Sequence, residues 1–253
     1  MGRVVLLTSE GESGVIAARY LAARFRDFAV VIEQPQDRLA FLRRRLERLG
    51  AVTVAGQVAF MIFQRFQQRL NRRRIVELVA AIGRDPPLSE KTPVIRVSSV
   101  NAETCMKALR ELDPSVVLVM GTRIISGAVL RCVHAQFINY HAGITPKYRG
   151  VHGGYWALAR GDGGNFGATV HLVDEGIDSG GVLYQVRVEP ARVDNFSTYP
   201  YLQLGAALPK LVEAARDAMA GRATQRSTGL PSRLWSHPTL WTYLANGFRR
   251  GVW

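Results

Sequence analysis

Cysteine is scarce in this 253-residue chain, and long apolar runs are missing. Its two cysteines, Cys105 and Cys132, stand in apolar stretches, and their spacing suits neither a zinc site nor a secreted disulfide framework. We interpret both as reduced, buried core residues. The first apolar run, 4–8, ends too early for a signal peptide, and no stretch of roughly 18 uncharged apolar residues follows. We therefore expect a soluble, cytoplasmic protein.

Acidic side chains are also few. The chain has 33 Lys and Arg against 20 Asp and Glu, a formal net charge of +13. Such a field attracts nucleic acid, an anionic membrane or a phosphorylated substrate. Much of the excess lies between Arg38 and Arg74, where Glu47 is the only acid. Because apolar residues recur at helical spacing over 38–79 without a proline, we predict two or three helices there; a solvated helical face explains the arginines equally well.

Strand and helix patterns alternate along the rest of the chain. Apolar, often β-branched runs predict strands at 4–8, 29–32, 94–100, 115–121, 136–140, 166–173 and 181–188. Helical periodicity predicts helices at 15–25, 101–112 and 199–222. Asn101 is the expected N-cap of the second helix. The pattern is typical of an α/β fold, with a Rossmann-like, mostly parallel sheet and helices on both faces.

Two polar side chains stand at the end of the strand near 136–140. Asn139 and His141 are two residues apart, so in extended geometry they point to the same side, at the edge where open α/β sheets bind ligands. A carboxylate from a later acidic loop, Asp178 or Asp174, can complete the set. Acyl transfer needs an oxyanion donor and a base, which this set supplies. A lone histidine or aspartate in such a place is, however, more often structural.

Two stretches, FINYHAGITPKYRG and GATVHLVDEGIDSGGVLYQ, resemble the signature of folate-dependent formyltransferases. That family holds glycinamide ribonucleotide formyltransferase, the methionyl-tRNA formyltransferase catalytic domain and sugar N-formyltransferases. Its pattern is Asn-x-His, then Pro-x-Tyr-(Arg or Pro)-Gly, then a strand with a His, then an Asp seven residues beyond. Here these positions are Asn139, His141, Pro146, Tyr148, Arg149, Gly150, His171 and Asp178.

The resemblance implies a formyltransferase-type fold and transfer of a formyl group from N10-formyltetrahydrofolate to a primary amine. Asn139 and His141 would donate hydrogen bonds to the developing oxyanion, and Asp178 would relay the proton. No metal is implied. The co-substrate would contact Met120, Gly121, Thr122, Arg123, Ile124, Ile125, Val173, Asp174, Glu175, Gly176 and Ile177. The acceptor would contact Ser13, Gly14, Tyr148, Arg149, Gly150 and His152.

Several positions depart from the family pattern. Tyr140 replaces a smaller aliphatic residue, and Gly143 and Thr145 replace the Ser and Leu found more often, which can alter the acceptor site. Backbone amides near Ser13 and Gly14 can hold an anion at a helix N-terminus. Glu10 and Glu12 oppose a phosphate there, which argues against glycinamide ribonucleotide as the acceptor.

We favour the amino group of a nucleotide-linked sugar as the acceptor, with glycinamide ribonucleotide as the alternative. Transfer RNA is disfavoured because the 64 residues after Glu189 are too few for the C-terminal barrel of that branch. A different class of function is a non-enzymatic RNA- or membrane-surface-binding protein with a vestigial folate site. The arginines of 38–74, together with Met61, Ile62, Phe63 and Phe66, can contact an anionic membrane.

We expect residues 1–190 to form the catalytic domain, with 38–79 as a basic helical insertion. Residues 191–253 would pack on the same domain as a C-terminal helix and an aromatic, basic tail. The tail's Trp235, Trp241 and Trp253 suit either an oligomer surface or an ordinary packed terminus.

Overall fold

The computed structural model describes residues 2–36 and 38–253, with side chains described for all of these except 38–41. The strands are β1 Val4–Ser9, β2 Phe28–Glu33, β3 Val94–Val97, β4 Val116–Met120, β5 Gln136–His141, β6 Arg149–Gly150, β7 Gly167–Leu172, β8 Val182–Arg187 and β9 Leu234–Trp235. The helices are α1 Glu12–Ala22, α2 Arg38–Leu49, α3 Ala51–Leu70, α4 Arg72–Ile82, α5 Glu103–Leu112, α6 Gly127–Leu130, α7 Gly153–Ala159, α8 Tyr199–Met219 and α9 Leu240–Arg250.

Seven strands form one sheet in the order β3-β2-β1-β4-β5-β7-β8. The first five are parallel, whereas β7 runs antiparallel to β5 and β8 antiparallel to β7. Strand β4 is the most apolar of them, and every one of its residues is buried because the sheet is covered on both faces. The predicted mostly parallel α/β sheet is confirmed.

Two layers of helix cover the sheet. On one face, α1 and α8 pack against alternate residues of β1 and β4, with Leu21, Leu204 and Leu208 in that core. On the other face, α5 and α6 pack against the intervening residues, with Cys105 and Leu109 in the core. The alternation follows from the two-residue period of a strand, which sends successive side chains to opposite faces.

The basic segment forms three consecutive helices, in agreement with the two or three predicted. Helix α4 packs on α8, and α3 packs on α9. The buried face of α3 carries Phe60, whose ring lies 4.8 Å from that of Phe196 and 5.0 Å from that of Tyr243 between centroids. Among the described helices, none is long and apolar enough to cross a membrane.

Two expectations about single residues were wrong. Helix α5 begins at Glu103 without a side-chain cap, because Asn101 instead bonds the segment after β4: its Nδ2 donates to the Ile124 carbonyl at 2.9 Å, and its Oδ1 accepts from the Ser126 amide at 2.8 Å. Cys105 is buried as predicted, but Cys132 is only partly buried, since it follows the short helix α6 near the surface.

The C-terminal tail is more ordered than the sequence indicates. Helix α9 begins after Thr239, whose hydroxyl accepts a hydrogen bond from the Thr242 amide. Tyr243 of this helix is fully buried in an aromatic cluster, and the Trp253 ring packs across Gly247. The tail thus supplies core side chains to the region around α3.

Candidate active site

The predicted site residues meet at the carboxyl ends of β4 and β5. A cavity of about 790 Å³ opens there. Asn139 of β5 pairs in register with His171 of the antiparallel neighbour β7, and His141 follows on the same side of β5. The sheet register therefore brings an amide and two imidazoles to one point, although 30 residues separate His141 from His171 along the chain.

Asp178 reaches the same point from the loop between β7 and β8. Its backbone is in the left-handed region, with φ of 48°, and its side chain is largely buried. One carboxylate oxygen, Oδ1, lies 3.3 Å from Asn139 Nδ2 and 3.6 Å from His171 Nε2. The other oxygen, Oδ2, lies 3.3 Å from His141 Nδ1 and accepts a hydrogen bond of 2.9 Å from the Gly150 amide. The structure thus joins the three residues expected to be catalytic, and His171 with them.

Backbone carbonyls fix which nitrogen of each imidazole carries hydrogen. His141 Nε2 lies 2.6 Å from the Tyr148 carbonyl and must donate to it, which leaves Nδ1 to face Asp178. His171 Nδ1 donates to the Leu172 carbonyl at 2.7 Å, so its Nε2 accepts from Asn139 Nδ2 at 3.1 Å. Both amide hydrogens of Asn139 are therefore directed at His171 and Asp178.

Burial and charge set the protonation of the pair formed by Asp178 and His141. Burial lowers the pKa of His141 below its ordinary value, although the Asp178 charge opposes this. Burial alone would raise the pKa of Asp178, but its contacts with the imidazoles of His171 and His141 and with the Gly150 amide together lower it. Near neutral pH an unprotonated nitrogen and a carboxylate oxygen consequently face each other at 3.3 Å. Together, His141 Nδ1 and Asp178 Oδ2 can bind one proton between them.

The surrounding loops are held by their own contacts. Arg149 Nε donates to the Ile177 carbonyl at 2.7 Å, which ties the Asp178 loop to the Gly-rich segment after β5. Arg149 Nη1 also reaches the Ser232 hydroxyl. Tyr148 is 1% exposed, and its hydroxyl donates to Asp162 at 2.6 Å. Two residues expected to bind the acceptor, Tyr148 and Arg149, therefore do not line the cavity with their side chains. Their contacts instead fix the loops around it.

The segment expected to contact the co-substrate lines one side of the cavity, from Met120 to Ile125. The Arg123 guanidinium is paired within the protein, since its Nε lies 3.2 Å from the buried carboxylate of Glu33. From the later loop, Val173, Asp174, Gly176 and Ile177 also line the cavity. Glu175 does not, because its side chain points away and pairs with Arg131 at 2.9 Å.

The cavity lining also includes three of the residues expected at the acceptor, Ser13, Gly150 and His152. Gly14 lies instead in an adjoining cavity of about 480 Å³ at the start of α1. Among the described residues that line this second cavity, Glu12 carries a charge and no lysine or arginine is present. Glu12 also bonds the hydroxyl of Tyr201.

Sequence reasoning missed an aromatic wall of the cavity. Tyr155, Phe196 and Tyr199 line the cavity there, and Tyr155 and Phe196 stack edge to face at 5.1 Å. His152 packs on Phe196 and bonds His237 of the tail at 2.9 Å through Nε2. Burial lowers the pKa of His152 to about 3 and that of His237 to about 4. His171 had a sequence signal, its place in the motif, whereas the wall had none.

Within the described part of the chain, no group of three or more His, Cys, Asp or Glu side chains is arranged to hold a metal ion.

A seven-stranded α/β sheet with an Asn-x-His strand end and an aspartate loop defines the class of protein. The sequence model of the formyl transferase family matches residues 40–199, more than half of the chain. The chain belongs to the formyl transferase family, as the sequence resemblance indicated.

Known proteins of three kinds are similar to this chain. The methionyl-tRNA formyltransferase of Kosmotoga olearia is 32% identical over 130 residues, which are 51% of this chain but only 42% of that protein. Glycinamide ribonucleotide transformylase 1 of Symbiobacterium toebii superposes with a TM-score of 0.57 at 19% identity, covering 88% of this chain and 89% of that one. The N-formyltransferase of Helicobacter canadensis, in complex with folinic acid and dTDP-3-aminofucose, superposes with a TM-score of 0.55 at 13% identity, covering 91% of this chain and 70% of that one. The two structural likenesses concern the fold.

Proposed function

We propose that this protein transfers a formyl group from N10-formyltetrahydrofolate to a primary amine. One observation carries the proposal: the Asp178 carboxylate lies within 3.3 Å of both Asn139 Nδ2 and His141 Nδ1, inside a cavity at the carboxyl ends of β4 and β5. Family membership makes formyl transfer the reaction that such a set serves. We place the activity in the cytoplasm, as expected for an enzyme of folate metabolism.

The cavity suits a reduced folate. Its volume of about 790 Å³ lies in the range of ligand sites, and the apolar side chains of Val119, Ile125 and Val173 can flank a flat ring. The backbone of Met120–Ile125 and of the loop 173–177 offers polar groups to the ring edges. We assign these segments to co-substrate binding, with Glu175 contributing no side-chain contact.

We assign catalysis to Asn139, His141 and Asp178. The co-substrate supplies an activated formyl carbon, which the acceptor nitrogen attacks as the bond between that carbon and N10 breaks. Asp178 Oδ2 and His141 Nδ1 take the proton that the nitrogen loses and return it to N10. Once protonated, His141 Nδ1 becomes a donor and stabilises the negative charge developing on the formyl oxygen. Asn139 Nδ2 joins it by exchanging its 3.3 Å bond to Asp178 Oδ1 for a bond to that oxygen.

His171 is a positioning residue in this scheme. Its Nε2 accepts from Asn139 Nδ2, so it orients the amide that faces Asp178. The Tyr148 carbonyl has the same effect on His141, because it keeps the Nδ1 atom turned toward the reaction.

We propose a nucleotide-linked amino sugar as the acceptor. Aromatic residues line the cavity, and aromatic side chains suit contact with a sugar ring or a base. The protein from Helicobacter canadensis was crystallised with a ligand of this kind. The carboxylate of Glu12 and the lack of a cation among the described residues of the adjoining cavity disfavour the phosphate of glycinamide ribonucleotide there.

A binding and a turnover experiment test the proposal. Folinic acid should raise the melting temperature of the wild-type protein by mass action. A panel of dTDP- and UDP-linked amino sugars, glycinamide ribonucleotide and methionyl-tRNA, each with N10-formyltetrahydrofolate, should release tetrahydrofolate fastest with an amino sugar. Absence of both a thermal shift and turnover would favour the non-enzymatic class. Turnover with another acceptor would keep the reaction and correct its substrate.

A further inference from the structure

Large apolar side chains are exposed mainly in one region. The described part of the chain exposes fifteen, of which eight lie on α2–α4, a segment of fewer than fifty residues. These eight are Leu46, Val52, Val58, Met61, Ile62, Phe66, Leu70 and Val76. Monomeric proteins rarely leave so many apolar groups together in water, and clusters of this kind mark interaction sites.

The exposed side chains form a stripe along α3. Val58, Ile62 and Phe66 follow one another at intervals of four residues, so they lie on one side of the helix, and Ile62 and Phe66 are 65% and 58% exposed. The opposite side of α3 is buried through Gly56, Phe60 and Gln64. The stripe is thus an outer face that the protein's own core does not use.

Positive charge shares this face. Arg65 and Arg69 are exposed beside Phe66, and Arg72 and Arg73 follow at the start of α4. The nearby carboxylates are few and already paired: Glu47 with Arg43, and Glu77 with Arg73 and Arg74. An excess of arginine next to exposed aliphatic and aromatic groups calls for a partner that is both anionic and apolar.

We propose that the outer face of α3 binds the surface of a membrane containing anionic lipid. Acyl chains would take up Ile62 and Phe66, and lipid headgroups would contact Arg65 and Arg69. Nucleic acid has the charge but offers little to aliphatic side chains. The helix would lie in the plane of the membrane.

Vesicle co-sedimentation of the full chain tests the proposal, which stands independently of the proposed reaction. The protein should bind phosphatidylcholine vesicles that contain phosphatidylglycerol and not vesicles of phosphatidylcholine alone. Ile62→Glu with Phe66→Glu should weaken binding by on the order of tenfold or more, since two apolar contacts are lost. Arg65→Gln with Arg69→Gln should weaken it by roughly fivefold per arginine and reduce its salt dependence.

Matched controls lie elsewhere on the surface. Val94→Glu on β3 and Arg110→Gln on α5 change an exposed valine and an exposed arginine outside the segment, and should leave vesicle binding at the wild-type level. Melting temperatures establish that all variants fold. The proposal fails if wild-type protein does not bind anionic vesicles, or if the double glutamate variant binds as well as wild type. It also fails if that variant instead breaks a dimer in light scattering or loses binding to RNA alone.

Discussion

At the scale of single residues, the site is organised around one carboxylate. Asp178 accepts a hydrogen bond from the Gly150 amide and contacts Asn139, His141 and His171. Every group of the proposed mechanism therefore contacts this carboxylate. The Asp178 backbone has a positive φ, which is uncommon for a residue other than glycine. The surrounding contacts keep the carboxylate ionised, since they lower its pKa despite burial.

Replacing this carboxylate gives the sharpest test of the mechanism. Asp178→Asn keeps the size of the side chain but removes the proton acceptor, so turnover at saturating formyl-folate should fall on the order of a hundredfold or more. The assay is release of tetrahydrofolate. Glu175→Gln is the matched control, because this carboxylate lies on the same loop and pairs with Arg131 outside the cavity; it should keep near wild-type turnover. Near wild-type rates in both Asp178→Asn and His141→Ala would contradict the assignment.

At the scale of elements, the Gly-rich segment after β5 packs with little space to spare. A Cβ on Gly143 would lie 2.5 Å from the Tyr148 carbonyl oxygen and 2.8 Å from His141 Nε2. It would therefore disrupt the hydrogen bond between His141 Nε2 and the Tyr148 carbonyl, which turns the imidazole toward Asp178. The Gly153 backbone also occupies this space, since its Cα would lie 3.0 Å from such a Cβ.

Gly143→Ala should thus lower both stability and turnover. Overpacking of this kind costs about 1–3 kcal/mol in unfolding free energy, and the displaced His141 should reduce turnover further. Gly164→Ala is the matched control, since a Cβ there meets nothing within 4 Å. Urea denaturation and the tetrahydrofolate assay give the two readings. Equal stability of the two variants would show that the loop yields more easily than its contacts suggest.

The sequence predicted elements where periodicity was strong and failed where contacts across the chain decide. Buried β-branched runs located β4 and β5, and the family motif located Asn139, His141 and Asp178. Asn101 was predicted to cap a helix, but its side chain instead forms hydrogen bonds with the segment after β4. The aromatic wall comes from Tyr155, Phe196 and Tyr199, which share no local pattern. They come together where α7 meets the start of α8 and the segment before it.

At the scale of the whole molecule, buried histidines link the tail to the cavity and make stability depend on pH. The His152–His237 bond is one such link. Burial lowers the pKa of His152 to about 3 and that of His237 to about 4. Between these values and the ordinary histidine pKa of about 6.5, the unfolded chain binds protons that the folded protein does not bind. Stability should be full above that pH and fall as pH drops toward 4.

Urea denaturation at pH 7 and pH 5 measures this dependence. Each of the two histidines should contribute a loss of roughly 1.4 kcal/mol per pH unit below about 6.5. His152→Asn should make the loss smaller by one histidine's share, and asparagine tolerates the left-handed backbone found at this position. His134→Gln, a change of an exposed imidazole, is the control and should keep the wild-type slope. An unchanged slope in His152→Asn would mean that the buried pair does not govern acid unfolding.

The connection between β2 and β3 is far longer than its topology requires. These strands are parallel neighbours, and roughly a dozen residues suffice for such a crossover, whereas here it takes residues 34–93. The additional residues make contacts around the site. Phe60 packs on Phe196 of the aromatic wall, and Gln57 Nε2 donates a hydrogen bond to the His237 carbonyl. A chain with a minimal crossover would retain the reacting groups on the sheet and lose these contacts to the aromatic wall and the tail, so the long crossover supports the surroundings of the site and not its reacting groups.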